Sequence, residues 1–257
     1  MDIEKLADRL HQAEADRTTV PLFTKEIPEM TLEDAYAVQL KNIERKLLQG
    51  ERVIGYKIGL TSRAMQELIG IDTPDFGHLT DQMLVLEGQS VVREELIQPK
   101  VEGELAFCLA HDLTGPGLTP ADVYQATAFV VPAIELVDSR METWRFGLVD
   151  TVADNGSSKR FMLGSRMIPI QEVDMRLTGM TLEKNGELLA SGTLAQVLGN
   201  PAAAVAWLAN KLSEYGIVLK AGSIILSGSV TAAFPAEAGD VFTVSFQGMN
   251  SLNMTFI

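Results

Sequence analysis

The chain has 257 residues, with 34 acidic against 21 basic side chains and a formal charge of −13. Its 46% hydrophobic and 21% charged content is that of a folded globular protein, not a disordered one. The acid excess argues against a nucleic-acid partner, which needs clustered Lys and Arg to displace counterions. No run approaches the ~20 apolar residues that span a bilayer. The opening MDIEKLADRLHQAEAD lacks the basic-then-apolar layout of a signal peptide, so a cytoplasmic protein without a membrane partner is expected. The lone Cys108 allows no internal disulfide and no zinc site built on two or more cysteines.

In chain order, Leu6, Leu10 and Ala13 predict a first amphipathic helix. Thr31 and Asp34 have capping-box spacing, Tyr36, Leu40, Ile43 and Leu47 share a helical face, and Gly50 supplies the stop, which predicts a helix over 31–49. RVIGYKIGL, residues 52–60, reads as a strand. Pro74-Asp75-Phe76-Gly77-His78 has turn-forming composition. From about residue 83 short apolar runs alternate with Gly, Pro and Asp, predicting strands over 101–110, 128–138, 223–230, 240–248 and the terminal LNMTFI. Two helices interrupt them, opening on Thr119-Pro120 and Asn200-Pro201, with proline at the first helical position. The pattern predicts an α+β protein, with an N-terminal helical α/β portion over 1–80 and a β-rich core over 81–257.

In Val101-Glu102-Gly103-Glu104-Leu105-Ala106-Phe107, strand alternation puts Glu102 and Glu104 on one face and Val101, Leu105, Phe107 and Leu109 on the other. Such a pair is either an exposed acidic face or the start of a cation site. Glu135, inside the apolar run AFVVPAIELV, must be paired, protonated or metal-bound, because a lone buried carboxylate costs several kcal/mol. It either meets a base such as Arg140 or joins Glu102 and Glu104 around one ion. Three carboxylates without His or Cys suit Mg2+ or Mn2+ and fit zinc poorly.

Lys57, flanked by Gly and aliphatics, is either a snorkelling stem or a buried ammonium near anions. Asp75 can be a simple turn former, and residues 152–160, VADNGSSKR, read as a loop that satisfies its own backbone or cradles a carboxylate. No phosphate-binding glycine motif follows a strand, and His11, His78 and His111 carry no triad signature. Cys108 shares the glutamates' face, where anions raise a thiol's pKa, and reads as packing.

Together IGYKIGLTS, PDFGHLTDQM, PKVEGELAF, AIELVDSR and VADNGSS resemble the fumarylacetoacetate hydrolase superfamily, in its branch of 2-oxo-enoate hydratases and 4-oxalocrotonate decarboxylases of aromatic meta-cleavage catabolism. The resemblance implies a mixed β core with a small N-terminal α/β portion. It implies Mg2+ or Mn2+ on Glu102, Glu104 and Glu135, catalytic roles for Lys57 and Asp75, and substrate contacts from Thr61, Ser62, Asn155, Ser157, Arg160 and Thr231. SSxRF, with Arg160 as a second cationic anchor, PEMTxxDAYxVQ and Thr231-Ala232-Ala233 lean toward a decarboxylase acting on 2-oxo-3-hexenedioate. Asp75 in PDFG and ERVIGxKIG lean toward a hydratase acting on 2-hydroxypenta-2,4-dienoate or a seven-carbon 2-oxo-diacid. The decarboxylase is placed first. The resemblance also implies a homo-oligomer that can associate with its sister enzyme and takes a 2-oxo mono- or dicarboxylic acid. A non-catalytic acidic binding protein is the remaining class, opposed by the retained carboxylates, whose mutual repulsion an idle site has no reason to keep.

Overall fold

The fold is described from a computed structural model covering residues 1–62, 66, 71 and 73–257. Asp2 caps helix α1 (Ile3–Asp16) by accepting from the Lys5 amide, and Leu6, Ala7, Leu10 and Ala13 form its buried face. A short helix α2 (Phe23–Glu26) follows. The capping box of Thr31 and Asp34 opens α3 (Leu32–Leu48), which spans the expected helix. Among the described residues, three further helices of known bounds lie between strands: α4 (Pro120–Ala126), α5 (Leu148–Ala153) and α6 (Pro201–Ser213). Both α4 and α6 start on proline, as the sequence reading has it. Among the described residues, no helix is long and apolar enough to cross a membrane.

The strands form two sheets. The larger runs in the order β2 (Asp75–Thr80), β1 (Val53–Gly59), β10 (Ile224–Ser229), β5 (Pro99–Leu109), β6 (Thr127–Asp138), β7 (Ser158–Leu163), β3 (Leu84–Val85), with β11 (Phe234–Pro235) beside β5. The smaller runs β4 (Ser90–Val91), β13 (Leu252–Phe256), β12 (Val241–Phe246), β8 (Gly179–Lys184), β9 (Glu187–Thr193). The mixed α/β architecture agrees with the expected class. The 80/81 division, however, runs through the larger sheet, because β1 and β2 pair into it through β10.

Alternation along β5 explains how the sheets stack. Val101, Leu105, Phe107 and Leu109 are buried in the main core, where each such side chain contributes about 1.5–3 kcal/mol. Gly103 lets the second sheet approach: a Cβ there would stand 2.9 Å from Met180 Cε and 3.2 Å from Val244 Cγ2. The opposite face is not solvent-exposed. Ala106, Val131, Ala133, Phe161 and Leu226 form a second, smaller core beside the glutamates.

The expected turn at 74–78 is the start of β2, with Asp75 1% exposed. Its turn-forming residues are overruled by an eight-stranded sheet that supplies partners on β1. Residues 152–160 are likewise not one loop. They comprise the end of α5, a 3-10 turn at Asn155–Ser157 and the first residues of β7.

Candidate metal and substrate site

The site is built on one face of the larger sheet. Glu102 and Glu135 are directly opposite in the β5–β6 ladder, and Glu104 lies two residues along. Like charges so placed repel. Lys57 pairs with Gly77 and Gly59 with Asp75, so Lys57 and Asp75 share a face of the β1–β2 ladder. Strands β10 and β5 separate β1 from β6, a span of roughly 14 Å in a flat sheet. Yet Lys57 Nζ lies 3.5 Å from Glu135 Oε2. The sheet curls around this face, and the two side chains close the remaining gap.

Glu135 therefore pairs with Lys57 and not with Arg140, which is taken by Asp154 at 2.5 Å. Asp154 also accepts from Ser139 Oγ, the Arg140 amide and Ser157 Oγ, at 3.0–3.1 Å. This buried cluster pins the turn at Asn155–Ser157 against β1, where the Gly156 carbonyl accepts from Lys57 Nζ at 3.2 Å. From α3, Gln39 Nε2 donates to the carbonyls of Phe76 and Val152, tying β2 to α5. The remaining Gln39 oxygen then faces His78 Nδ1 at 2.9 Å, so that ring nitrogen carries the proton, and burial lowers the His78 pKa to about 4.

Oxygens of Glu102, Glu104 and Glu135 lie within 4.8 Å of one another. Glu104 Oε2 accepts from the Gly228 amide at 2.8 Å, but Glu104 Oε1 and both Glu135 oxygens accept no hydrogen bond among the described residues. Buried carboxylate oxygens are rarely left so. An all-oxygen, triply acidic donor set with unpartnered lone pairs fits a hard divalent cation such as Mg2+ or Mn2+. Without one, burial pushes the Glu102 carboxyl up to about 7, with Glu135 and Asp75 adding to the rise against Lys57. Burial holds Glu104 well above the usual range, and the negative charge of Glu135 and Glu102 adds to it. Burial also raises Asp75, against the pull of Lys57. For Lys57, burial works to lower the ammonium's pKa, but the charge of Glu135, Asp75, Glu102 and Glu104 outweighs it, and the group stays above the ordinary lysine range.

A cavity of about 320 Å3 opens on this cluster. Lys57, Asp75 and Glu102 line it, as do Thr61, Ser62, Ser157 and Thr231. Thr151 Oγ1 donates to Asp75 Oδ2 at 3.2 Å, while Asp75 Oδ1 accepts no hydrogen bond from another side chain among the described residues. Two expected substrate contacts are not brought there. Asn155 faces β2, its side chain accepting from the His78 amide at 2.8 Å and donating to the His78 carbonyl at 3.0 Å. Arg160 pairs in register with Leu136, one residue off Glu135, so its side chain leaves the opposite face of the sheet and lines a separate groove with Val91 and Ile257. Burial, not neighbouring anions, raises the Cys108 thiol to about 11.

Sequence reading missed Lys100, Trp144, Phe146 and Thr151, all of which line the cavity. For Lys100 the signal existed: it lies two residues before Glu102 on the same strand face. Trp144 and Phe146 arrive from the segment after β6, where no local pattern marks them.

Over 252 residues, 98% of this chain and 96% of the relative, the sequence is 44% identical to a 4-oxalocrotonate decarboxylase of Pseudomonas sp. (strain CF600). Over 256 residues, 99% of this chain and 97% of the relative, it is 44% identical to a 2-hydroxyhexa-2,4-dienoate hydratase of Comamonas testosteroni. The solved structure of 4-oxalocrotonate decarboxylase from Pseudomonas putida G7, complexed with magnesium and adipate, matches with a TM-score of 0.96 at 42% identity, covering 99% of this chain and 97% of that one. Residues 57–257 match the fumarylacetoacetate (FAA) hydrolase C-terminal family, and the chain belongs to that family.

Proposed function

We propose that the chain is a divalent-metal-dependent lyase of 2-oxo acids that decarboxylates 2-oxo-3-hexenedioate (4-oxalocrotonate) to 2-hydroxypenta-2,4-dienoate. The observation that carries this reading is the convergence of three glutamate carboxylates within 4.8 Å beside the buried Lys57 ammonium, with Glu104 Oε1 and both Glu135 oxygens accepting no hydrogen bond among the described residues. One relative named decarboxylase and one named hydratase are each 44% identical, and a 2-hydroxypent-2,4-dienoate hydratase of Pseudomonas putida is 49% identical over 84% of this chain. Decarboxylation is placed first because Thr231, Ala232 and Ala233, the segment that leans that way in the sequence, line the cavity.

A Mg2+ or Mn2+ ion held by Glu102, Glu104 and Glu135 would draw electrons toward the 2-oxo group of the substrate. As the bond between C5 and C6 breaks and CO2 leaves, its electron pair moves through the alkene to the 2-oxo oxygen. The dianion takes up one proton and yields the dienol monoanion. Lys57, buried 3.5 Å from Glu135 Oε2 and lining the cavity, stabilises the developing oxyanion as an ammonium and holds a proton for it. Hydroxyls of Thr61, Ser62 and Thr231 orient the acid, and the Trp144 and Phe146 rings form an apolar wall that keeps water from the reacting carbons.

Asp75 supports a second reading, hydration of 2-hydroxypenta-2,4-dienoate to 4-hydroxy-2-oxopentanoate. Buried and lining the cavity with Lys57, with one oxygen unpartnered among the described residues, it supports the proton movement that water addition requires. Purified protein with Mg2+ is offered each substrate while CO2 release and dienol loss are followed. CO2 from the diacid without loss of supplied dienol supports the decarboxylase, and dienol consumption without CO2 reverses the order.

A further inference from the structure

We infer that Lys100 is the residue that selects a dicarboxylic substrate, by binding its distal carboxylate while the 2-oxo end sits at the three glutamates. The inference rests on the proposed 2-oxo-acid function and deepens it. A diacid needs a second cation in the cavity, and Arg160 is on the wrong face of the sheet to provide it. Among the described residues, the cavity is lined by two cationic side chains, Lys57 and Lys100. Lys57 is engaged by Glu135 at 3.5 Å and by the Gly156 carbonyl at 3.2 Å, at the same end as the carboxylate trio.

Lys100 differs in three respects. It lies on β5 two residues before Glu102, so its side chain leaves the same face about 7 Å further along the strand. The two carboxyl carbons of an extended six-carbon diacid are about 6 Å apart, five C–C bonds of about 1.5 Å each advancing in zigzag. Its ammonium stands 4.3 Å from the centroid of the Trp144 ring, which also lines the cavity. That contact holds the long side chain over an apolar wall without neutralising it, leaving its N–H donors for an incoming anion. Val137, directly opposite Lys100 in the β5–β6 ladder, completes an apolar floor suited to the methylene or alkene carbons between the two carboxylates.

The test uses two stable acids that share the 2-oxo end and differ only at the other, 2-oxoadipate and 2-oxohexanoate. Each is titrated calorimetrically into Mg2+-loaded wild type, Lys100→Met and Lys100→Arg. Wild type is expected to prefer the diacid. Lys100→Met is expected to weaken 2-oxoadipate by roughly 10- to 100-fold, the worth of one charge-assisted hydrogen bond, and to leave 2-oxohexanoate unchanged. Lys100→Arg, which keeps the charge, retains the preference and shows that the site still assembles. Equal weakening of both acids in Lys100→Met overturns the inference and assigns Lys100 to the metal end. A wild type that binds both acids equally overturns it alone, whereas one that binds neither overturns the 2-oxo-acid reading with it.

Discussion

Lys57 and Glu135 meet at 3.5 Å with side chains 5% and 0% exposed, although three strand spacings separate them in the sheet. One ammonium cannot neutralise four surrounding carboxylates, and taking such groups out of water costs several kcal/mol per ion. The cluster is thus built for a further cation and not for stability. Glu135→Gln removes a charged ligand and the partner of Lys57 while keeping volume. Its affinity for Mg2+ or Mn2+ should fall by roughly 100-fold, with activity falling alongside. Calorimetric titration of the metal reads this directly, and a Kd unchanged from wild type removes Glu135 from the ion's ligands.

The same crowding gives a pH dependence whose direction can be worked out. Glu102, pushed up to about 7, and Glu104, raised well above its ordinary value, hold protons in the metal-free folded protein more tightly than in the unfolded chain. Their contribution to stability is fully present below the unfolded carboxylate value, near 4.5, and is lost as pH rises through about 7. A divalent ion must displace those protons, so its affinity rises with pH over that window. Mg2+ should raise the Tm much more at about pH 8 than at about pH 5.5. Equal increments at both pH values would contradict proton competition at the trio.

Much of this arrangement was legible in the sequence because it follows from periodicity. Alternation along β5 placed Glu102 and Glu104 on one face, and an acid inside the apolar run of β6 marked Glu135 as needing a partner. The capping box at Thr31 and the prolines opening α4 and α6 fixed three helix starts. What stayed hidden depends on long-range pairing. Asp75 reads as a turn residue until β1 claims it for the ladder at the edge of the larger sheet. The strand order that brings Lys57 to Glu135 has no local signature. The place of Arg160 is equally non-local: a one-residue offset from Glu135 in register sends its side chain through the other face of the sheet.

Gly156 controls how closely the turn approaches Lys57. Its φ of +60° disfavours other residues, and a Cβ there would stand 2.9 Å from Lys57 Cδ and 3.3 Å from Nζ. Gly156→Ala should cost about 1–2 kcal/mol of stability from the backbone alone and displace the ammonium as well. Turnover should fall far more than Mg2+ affinity, since the glutamates sit on other strands. Steady-state kinetics beside a metal titration separates the two, and unimpaired kcat would mean that the position of Lys57 is not critical.

Arg160 provides a prediction in the opposite direction from the one its motif implies. Its guanidinium donates to the Lys159 carbonyl at 3.2 Å and lines a groove beside Ile257, outside the cavity that holds Lys57 and Glu102. Truncating it removes no charge from that cavity, and residues this far from the reacting atoms and without a shared partner usually act independently. Arg160→Ala should therefore leave KM for the diacid within about twofold of wild type and change stability by about 0.5 kcal/mol or less. Lys100→Met in the same assay should raise that KM roughly 10-fold or more. A large KM increase in Arg160→Ala, with none in Lys100→Met, would return the distal contact to Arg160 and require β7 to be re-registered by one residue against β6.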